Sequence, residues 1–468
     1  MVSPVIPVRP NQTPAPQSAP RSAPPSVTPL TESTAEDHLL GICFKIGPPR
    51  LIGVEAEWFV HDTRCPEAVV EPHRVTDALA LLPEAAKAAP AAGATPPDGE
   101  HADPPLLPAG ARLTREPGGQ VELSSPPAED PADCAEALLL DQAGLRAALA
   151  TQGLRLTGTG TDPLPRERRM QLDHPRYLAM EKFFDRAGPW GRIMMTGTAS
   201  VQVNVDAGAD TGPHALADRW RLTHLLGPVL VAAFANSPLL DGRPTGYRST
   251  RQLIWSRMDP SRTLAPAATT DPRESWARYV LDAEVLCVRR PDGRPWTAPA
   301  GLTFRDWLRG AGERRPSLAD LDYHRTTLFP PVRPRGHLEL RMIDAQPGDG
   351  WLAPLALVSA LLDDQAAADT ALAALEPLGT PDGLRPPRAE LWHRAATLAL
   401  TDPQLRRAAL ACFGAADQAL ARRPGSHRLR TALTEFAERY PARGRCPADD
   451  QLDALRAGAD PVSPEAAR

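Results

Sequence analysis

LIGVEAEWFV, residues 51–60, alternates as a β-strand does. Ile52, Val54, Ala56 and Trp58 take one face; Gly53, Glu55, Glu57 and Phe59 take the other. Same-face neighbours on a strand lie roughly 6–7 Å apart. At an effective dielectric of about 20, two carboxylates at that distance repel by about 2–3 kcal/mol. Such a pair fits either a solvated outer face of an antiparallel sheet or a face that holds a cation. The rest of the chain decides between these.

Three further stretches carry the same pattern. LTREPGGQVELSSPP, 113–127, places a turn signal at Pro117-Gly118-Gly119 between two strands, with Glu116 on the incoming arm and Glu122 on the outgoing one. TASVQVNVDA, 198–207, sets Val201, Val203 and Val205 against Ser200, Gln202, Asn204 and Asp206. GHLELRMI, 336–343, sets Leu338, Leu340 and Met342 against His337, Glu339 and Arg341. Strands with one apolar and one polar face fit a single antiparallel sheet backed by helices. Its polar face gathers Glu55, Glu57, Glu116, Glu122 and Glu339. Hard oxygen donors in that number suit Mg²⁺ or Mn²⁺. The chain has no G-x-x-x-x-G-K-[ST] loop and no G-x-G-x-x-G fingerprint, so a nucleotide here would be held through metal ions.

Around these strands the reading is mostly helical. Short helices are expected near 34–40 and 73–82, and residues 88–110 read as a long loop. Asp130 and Pro131 open a helix that Gly153 stops. His174–Phe184 is helical and carries Arg176 near its start. A long apolar helix over 216–236 is expected to break at Gly227-Pro228. The loop 234–255, rich in Pro, Gly and Ser, carries Arg243, Arg248 and Arg251; with Arg257 just beyond, it reads as an anion clamp beside the sheet. Helices follow at 273–290, 303–310 and 316–329.

Residues 1–30 hold nine prolines and no apolar cluster, and read as a disordered tail. Residues 31–440 read as one catalytic unit with a helical part from about 350 to 440, and 441–468 as a flexible tail. The net charge of −5 gives no footprint for nucleic acid or an anionic membrane, and no apolar run is long enough to span a bilayer. Six scattered cysteines without a Cys-x-x-Cys pair point to a reduced, cytoplasmic protein without structural zinc.

The motifs GVEAEWF, REPGGQVELSSPP, TASVQVNVD, FANSPLLDGRPTGYRSTRQLIW, TTLFPPVR and HLELR occur in this order. Together they resemble the plant-type glutamate–cysteine ligases among the carboxylate–amine ligases. They lie nearest the bacterial branch that supplies γ-glutamylcysteine for ergothioneine synthesis. The resemblance covers about 50–345. It implies an α+β, glutamine-synthetase-like fold, with an antiparallel sheet forming an open funnel backed by helices. It implies ATP-dependent joining of glutamate to cysteine through a γ-glutamyl phosphate. Glu55, Glu57, Glu116, Glu122 and Glu339 would then hold two or three Mg²⁺ ions, with Mn²⁺ able to substitute. Arg341, with Glu339, would serve the transferring phosphoryl group. Arg176 and Arg251 would hold glutamate, with Gln202 and Asn204 facing the same pocket. Trp255 would wall that pocket or belong to the core. The TGTAS stretch departs from the plant pattern, which leaves the cysteine-binding wall undefined. A same-fold ligase with another amine acceptor, or a non-catalytic ATP-binding relative, are the alternative readings.

Overall fold

A computed structural model describes residues 30–82, 107–266, 271–290, 293–379 and 390–460. The expected tail at 1–29, most of the loop at 88–110, and the last residues from 461 lie outside the described residues.

The quoted stretch forms β1, Ile52–Asp62, the spine of the sheet. The others in chain order are β2 (Arg112–Arg115), β3 (Val121–Ser124), β4 (Leu154–Thr157), β5 (Ser200–Asp206), β6 (Leu239–Leu240), β7 (Arg243–Pro244), β8 (Val332–Pro334) and β9 (His337–Asp344). The main sheet runs β2-β3-β1-β5-β9-β8, with β4 pairing the far half of β1; β6 and β7 form a separate small ribbon. All of these pairings are antiparallel.

The period-two pattern acts as expected. Ile52, Val54, Ala56 and Trp58, with Val201, Val203, Val205, Leu338, Leu340 and Met342, are buried in one continuous core. Helices Pro131–Thr151, Leu216–Ala233 and Leu352–Asp363 cover that face. Gln365–Leu375, Pro403–Arg422 and His427–Arg439 pack around the last of them. Asp130 caps its helix through a hydrogen bond from the Ala132 amide (2.7 Å), as its sequence predicts.

Four expectations are corrected. Leu216–Ala233 is one helix with Pro228 inside it, because dense burial on the sheet outweighs the missing amide. The helix expected over 273–290 ends at Asp282, and an extended segment continues. The arginine-bearing loop contains a helix, Thr250–Arg257, opened by Ser249, whose side chain accepts from the Gln252 amide. The flexible tail expected from 441 is docked through 460. There, helix Pro447–Arg456 hydrogen-bonds Ala448 N to Ala235 O (2.9 Å) and Gln451 Nε2 to Asn236 Oδ1 (2.6 Å). Among the described residues no helix is long and apolar enough to cross a membrane.

Candidate active site

The register of the sheet builds the site. Glu57 lies opposite Glu122 on one side, and Glu55 lies opposite Gln202 on the other. Asn204 lies between Gly53 and Glu339, and Glu339 lies opposite Arg333. Side chains as far apart in sequence as Glu55 and Glu339 thus share one polar face. Glu116 joins them from the β2–β3 turn. That turn is closed by the Gly119 amide donating to the Glu116 carbonyl (2.9 Å). It packs so tightly that a side chain at Gly118 would strike the Thr196 backbone at 2.5 Å. The glycines of the turn therefore set where Glu116 stands.

Each acid has its own surroundings. Glu57 accepts from Ser200 N (2.9 Å), Ser200 Oγ (3.0 Å) and Gln202 Nε2 (3.1 Å). Glu55 accepts from Asn204 Nδ2 (2.9 Å). Glu122 accepts from Thr114 Oγ1 (2.8 Å) and Ser124 Oγ (3.2 Å). None of these three has a hydrogen-bonded cation. Burial pushes the Glu55 and Glu57 carboxyls up, and Glu339 adds to the rise at Glu55. Burial, then the charge of Glu57, lifts Glu116 to about 7. Burial, then Glu55, Glu116 and Glu57, holds Glu122 well above the carboxylate range.

Glu339 is different. It is fully buried, and burial alone would raise it; the guanidinium groups of Arg333, Arg341 and Arg335 outweigh that and keep it ionised. Arg333 grips it at both oxygens, Nε to Oε2 at 2.5 Å and Nη2 to Oε1 at 2.9 Å. Arg341 Nη1 stands 3.1 Å from Oε1 and also hydrogen-bonds Gln202 Oε1.

Arg251 enters from helix Thr250–Arg257. Its Nη2 donates to the Arg341 carbonyl (2.9 Å), its guanidinium lies 4.4 Å from the Trp255 ring centre, and its field reaches Glu57. Its Nε and Nη1 are buried without a hydrogen-bond partner. Arg176 donates to Thr326 Oγ1 (2.9 Å) and Thr326 O (3.1 Å), and its charge acts on Glu116. Trp255 is buried and backs Arg251 from a cluster with Phe183, Tyr323 and Phe329. Of the other loop arginines, Arg248 pairs with Asp449 (2.8 Å) and Arg243 is exposed.

The structure therefore assembles the five acids, Gln202, Asn204, Arg341 and Arg251 on one face, with Arg176 at its edge. Sequence reasoning missed Arg333 and Arg335, and the hydroxyl donors Thr114 and Ser124; Ser200, read on the polar face, is the donor to Glu57. Arg333 ends the motif TTLFPPVR, but only the β8–β9 pairing reveals its partner. A cavity of about 570 Å³ lies elsewhere, lined by Trp190, Tyr247, Gln252, Ser256, Arg257 and His393; none of the sheet acids borders it.

The acid face suits divalent cations. Four carboxylates raised by burial, three of them also by neighbouring acids, with only neutral hydrogen-bond donors on Glu55, Glu57 and Glu122, form a site of hard oxygen donors. Among the described residues, no three acids stand close enough together to hold one ion by themselves. Water and substrate phosphates would then have to complete the shell of any Mg²⁺ held by one or two of these carboxylates.

Comparison with known proteins places the chain. Residues 51–466 match glutamate-cysteine ligase family 2 (GCS2). The chain is 45% identical, over 73% of its length and 81% of the relative, to "Glutamate--cysteine ligase EgtA" of Mycolicibacterium smegmatis. It is 38% identical to the protein of that name from Mycobacterium tuberculosis, over 91% of each chain. Among solved structures, a glutamate–cysteine ligase of Francisella tularensis in complex with AMP covers 90% of this chain and 89% of its own. It does so at 13% identity and a TM-score of 0.51, a likeness in fold.

Proposed function

The chain belongs to glutamate-cysteine ligase family 2, and from that premise we propose that its acid face uses ATP to join the γ-carboxylate of glutamate to the amine of cysteine. The product, γ-glutamylcysteine, would feed ergothioneine synthesis, in the cytoplasm. The observation that carries this reading is one sheet face on which Glu55, Glu57 and Glu122, hydrogen-bonded by neutral donors alone, meet an arginine with unspent buried donors.

A carboxylate resists direct attack by an amine, because oxide is a poor leaving group. In the first step a γ-carboxylate oxygen of glutamate bonds to the terminal phosphorus of ATP, and the bond to ADP breaks. In the second the cysteine amine bonds to the acyl carbon, phosphate leaves, and the surplus amine proton passes to solvent. Glu55, Glu57, Glu116, Glu122 and Glu339 would hold two or three Mg²⁺ ions, or Mn²⁺ in their place, which neutralise charge on the phosphates when bound.

The chain's own groups do the rest. Arg251 offers Nε and Nη1 to a glutamate carboxylate, and Arg176 offers its charge from the side of Glu116. Arg341, held by Glu339 and Gln202, presents its buried, unpartnered Nε to the phosphoryl group in transfer. Asn204 keeps its Oδ1 unpartnered while its amide holds Glu55, so it can accept a hydrogen bond from substrate.

The test is ADP release by purified protein given glutamate, cysteine and Mg-ATP, with the product identified by mass spectrometry. Release should require all three, and other amines should give a far lower kcat/KM. A folded protein that forms no γ-glutamylcysteine refutes the reading.

A further inference from the structure

Three guanidinium groups surround the Glu339 carboxylate, and they are not equivalent. Arg333 is buried, and all three kinds of its nitrogen are spent: Nε and Nη2 on Glu339, and Nη1 on the Leu328 carbonyl (3.1 Å). Arg341 is braced by Gln202, by Glu339, and by the Arg251 contact to its carbonyl. Arg335 has a single loose contact, Nη1 to Glu339 Oε1 at 3.4 Å. Its side chain is 45% exposed, against 11% for Arg333 and 12% for Arg341.

The backbone fixes the base of Arg335 while leaving its tip free. Its amide donates to the His337 carbonyl (2.8 Å) across the tight β8–β9 turn, where Gly336 takes φ +85°. The Gly336 amide in turn donates to the Cys43 carbonyl (2.8 Å). From this braced turn the guanidinium stands within the field of Glu55 and Glu122 as well as Glu339. A guanidinium has five N–H donors. Arg335 thus keeps most of them unspent at the open edge of the acid face, and Glu339 does not need it, since Arg333 already grips both oxygens.

We propose that Arg335 is a further substrate-contacting residue, a phosphate clamp that leaves Glu339 and closes on the polyphosphate of the Mg-bound nucleotide. A planar fork on a long stem suits phosphate oxygens, and an anion arriving with its cations on the neighbouring acids turns a loose contact into charge-assisted hydrogen bonds. The proposal rests on the nucleotide part of the function given above.

The test uses the full-length protein and reads binding directly. Calorimetry with Mg-ADP and with magnesium tripolyphosphate is run on the wild type, Arg335→Ala and Arg335→Lys. The alanine variant should lose at least about tenfold in affinity for both probes, the loss of one charge-assisted contact, and lysine should restore part of it as a point charge. Glutamate affinity and the thermal midpoint should not change. Unchanged Mg-ADP affinity in Arg335→Ala overturns the proposal, as does a loss for ADP without one for tripolyphosphate, or an equal loss for glutamate. A wild type that makes no γ-glutamylcysteine, yet binds Mg-ADP in an Arg335-dependent way, refutes the ligase reading and supports the clamp.

Discussion

Replacing Arg333 by methionine tests the argument that the site is built around an ion pair. Arg333 meets Glu339 at 2.5 and 2.9 Å, and Glu339 has no exposed surface. Removing one partner of a buried pair costs about 3–5 kcal/mol, because the other charge is left in a poor solvent. Here Arg341 at 3.1 Å and Arg335 at 3.4 Å still compensate Glu339 Oε1, which puts the expected loss near the lower bound, about 3 kcal/mol. The assay is urea unfolding of the ligand-free protein near neutral pH, read as a shift of midpoint at unchanged slope. The Arg333→Met/Glu339→Met double variant should be less destabilised than the sum of the two single variants by about 2 kcal/mol. A single variant within about 1 kcal/mol of wild type, or strict additivity, would refute the reasoning.

Glu122→Gln should abolish turnover and yet make the ligand-free protein less sensitive to alkali. Burial and its acid neighbours raise the Glu122 carboxyl in the fold, so the folded state holds a proton that the unfolded chain releases above about pH 4.3. Its contribution to stability is therefore lost as pH rises, and the variant's thermal midpoint should fall less between about pH 5 and about pH 8; an identical slope counts against the acid cluster. Arg251→Lys should raise the KM for glutamate at least about tenfold with a smaller effect on kcat, since a point charge cannot replace the fork. An unchanged KM removes Arg251 from the glutamate site. At the acid end, burial and then Arg262 push His324 down to about 3, while its Nε2 bonds the Val280 carbonyl (2.9 Å). The unfolded imidazole takes a proton below about 6.5, so stability is lost as pH falls from there toward the folded value, by up to about 1.4 kcal/mol per unit. His324→Leu should flatten that acid limb in denaturation measured by circular dichroism.

The sheet and most of its polar face were legible in the sequence because a two-residue period states both which residues are buried and which share a face. Glu55, Glu57, Gln202, Asn204, Glu339 and Arg341 all follow from it. Arg333 and Arg335 did not, because they lie in PVRPRG, where prolines mask a three-residue strand, and their importance comes from register with β9. Helix Thr250–Arg257 was hidden by the Pro-Gly density just before it, although Ser249 followed three residues later by Gln252 is a capping signal. The 441–460 segment looks like a tail by composition because it is held largely through polar groups, including Asp449 and Gln451, which leave no apolar stripe to read.

That last attachment has a consequence for biogenesis. Asn236 stands at the entrance to the arginine helix and is gripped by Gln451, 215 positions later. On the ribosome, the segment bearing Arg251 must wait unlatched until Gln451 has been synthesised and has left the exit tunnel. A cut between residues 440 and 446 would leave the latch held by its hydrogen bonds and the Arg248–Asp449 ion pair, with every strand of the sheet on the other fragment.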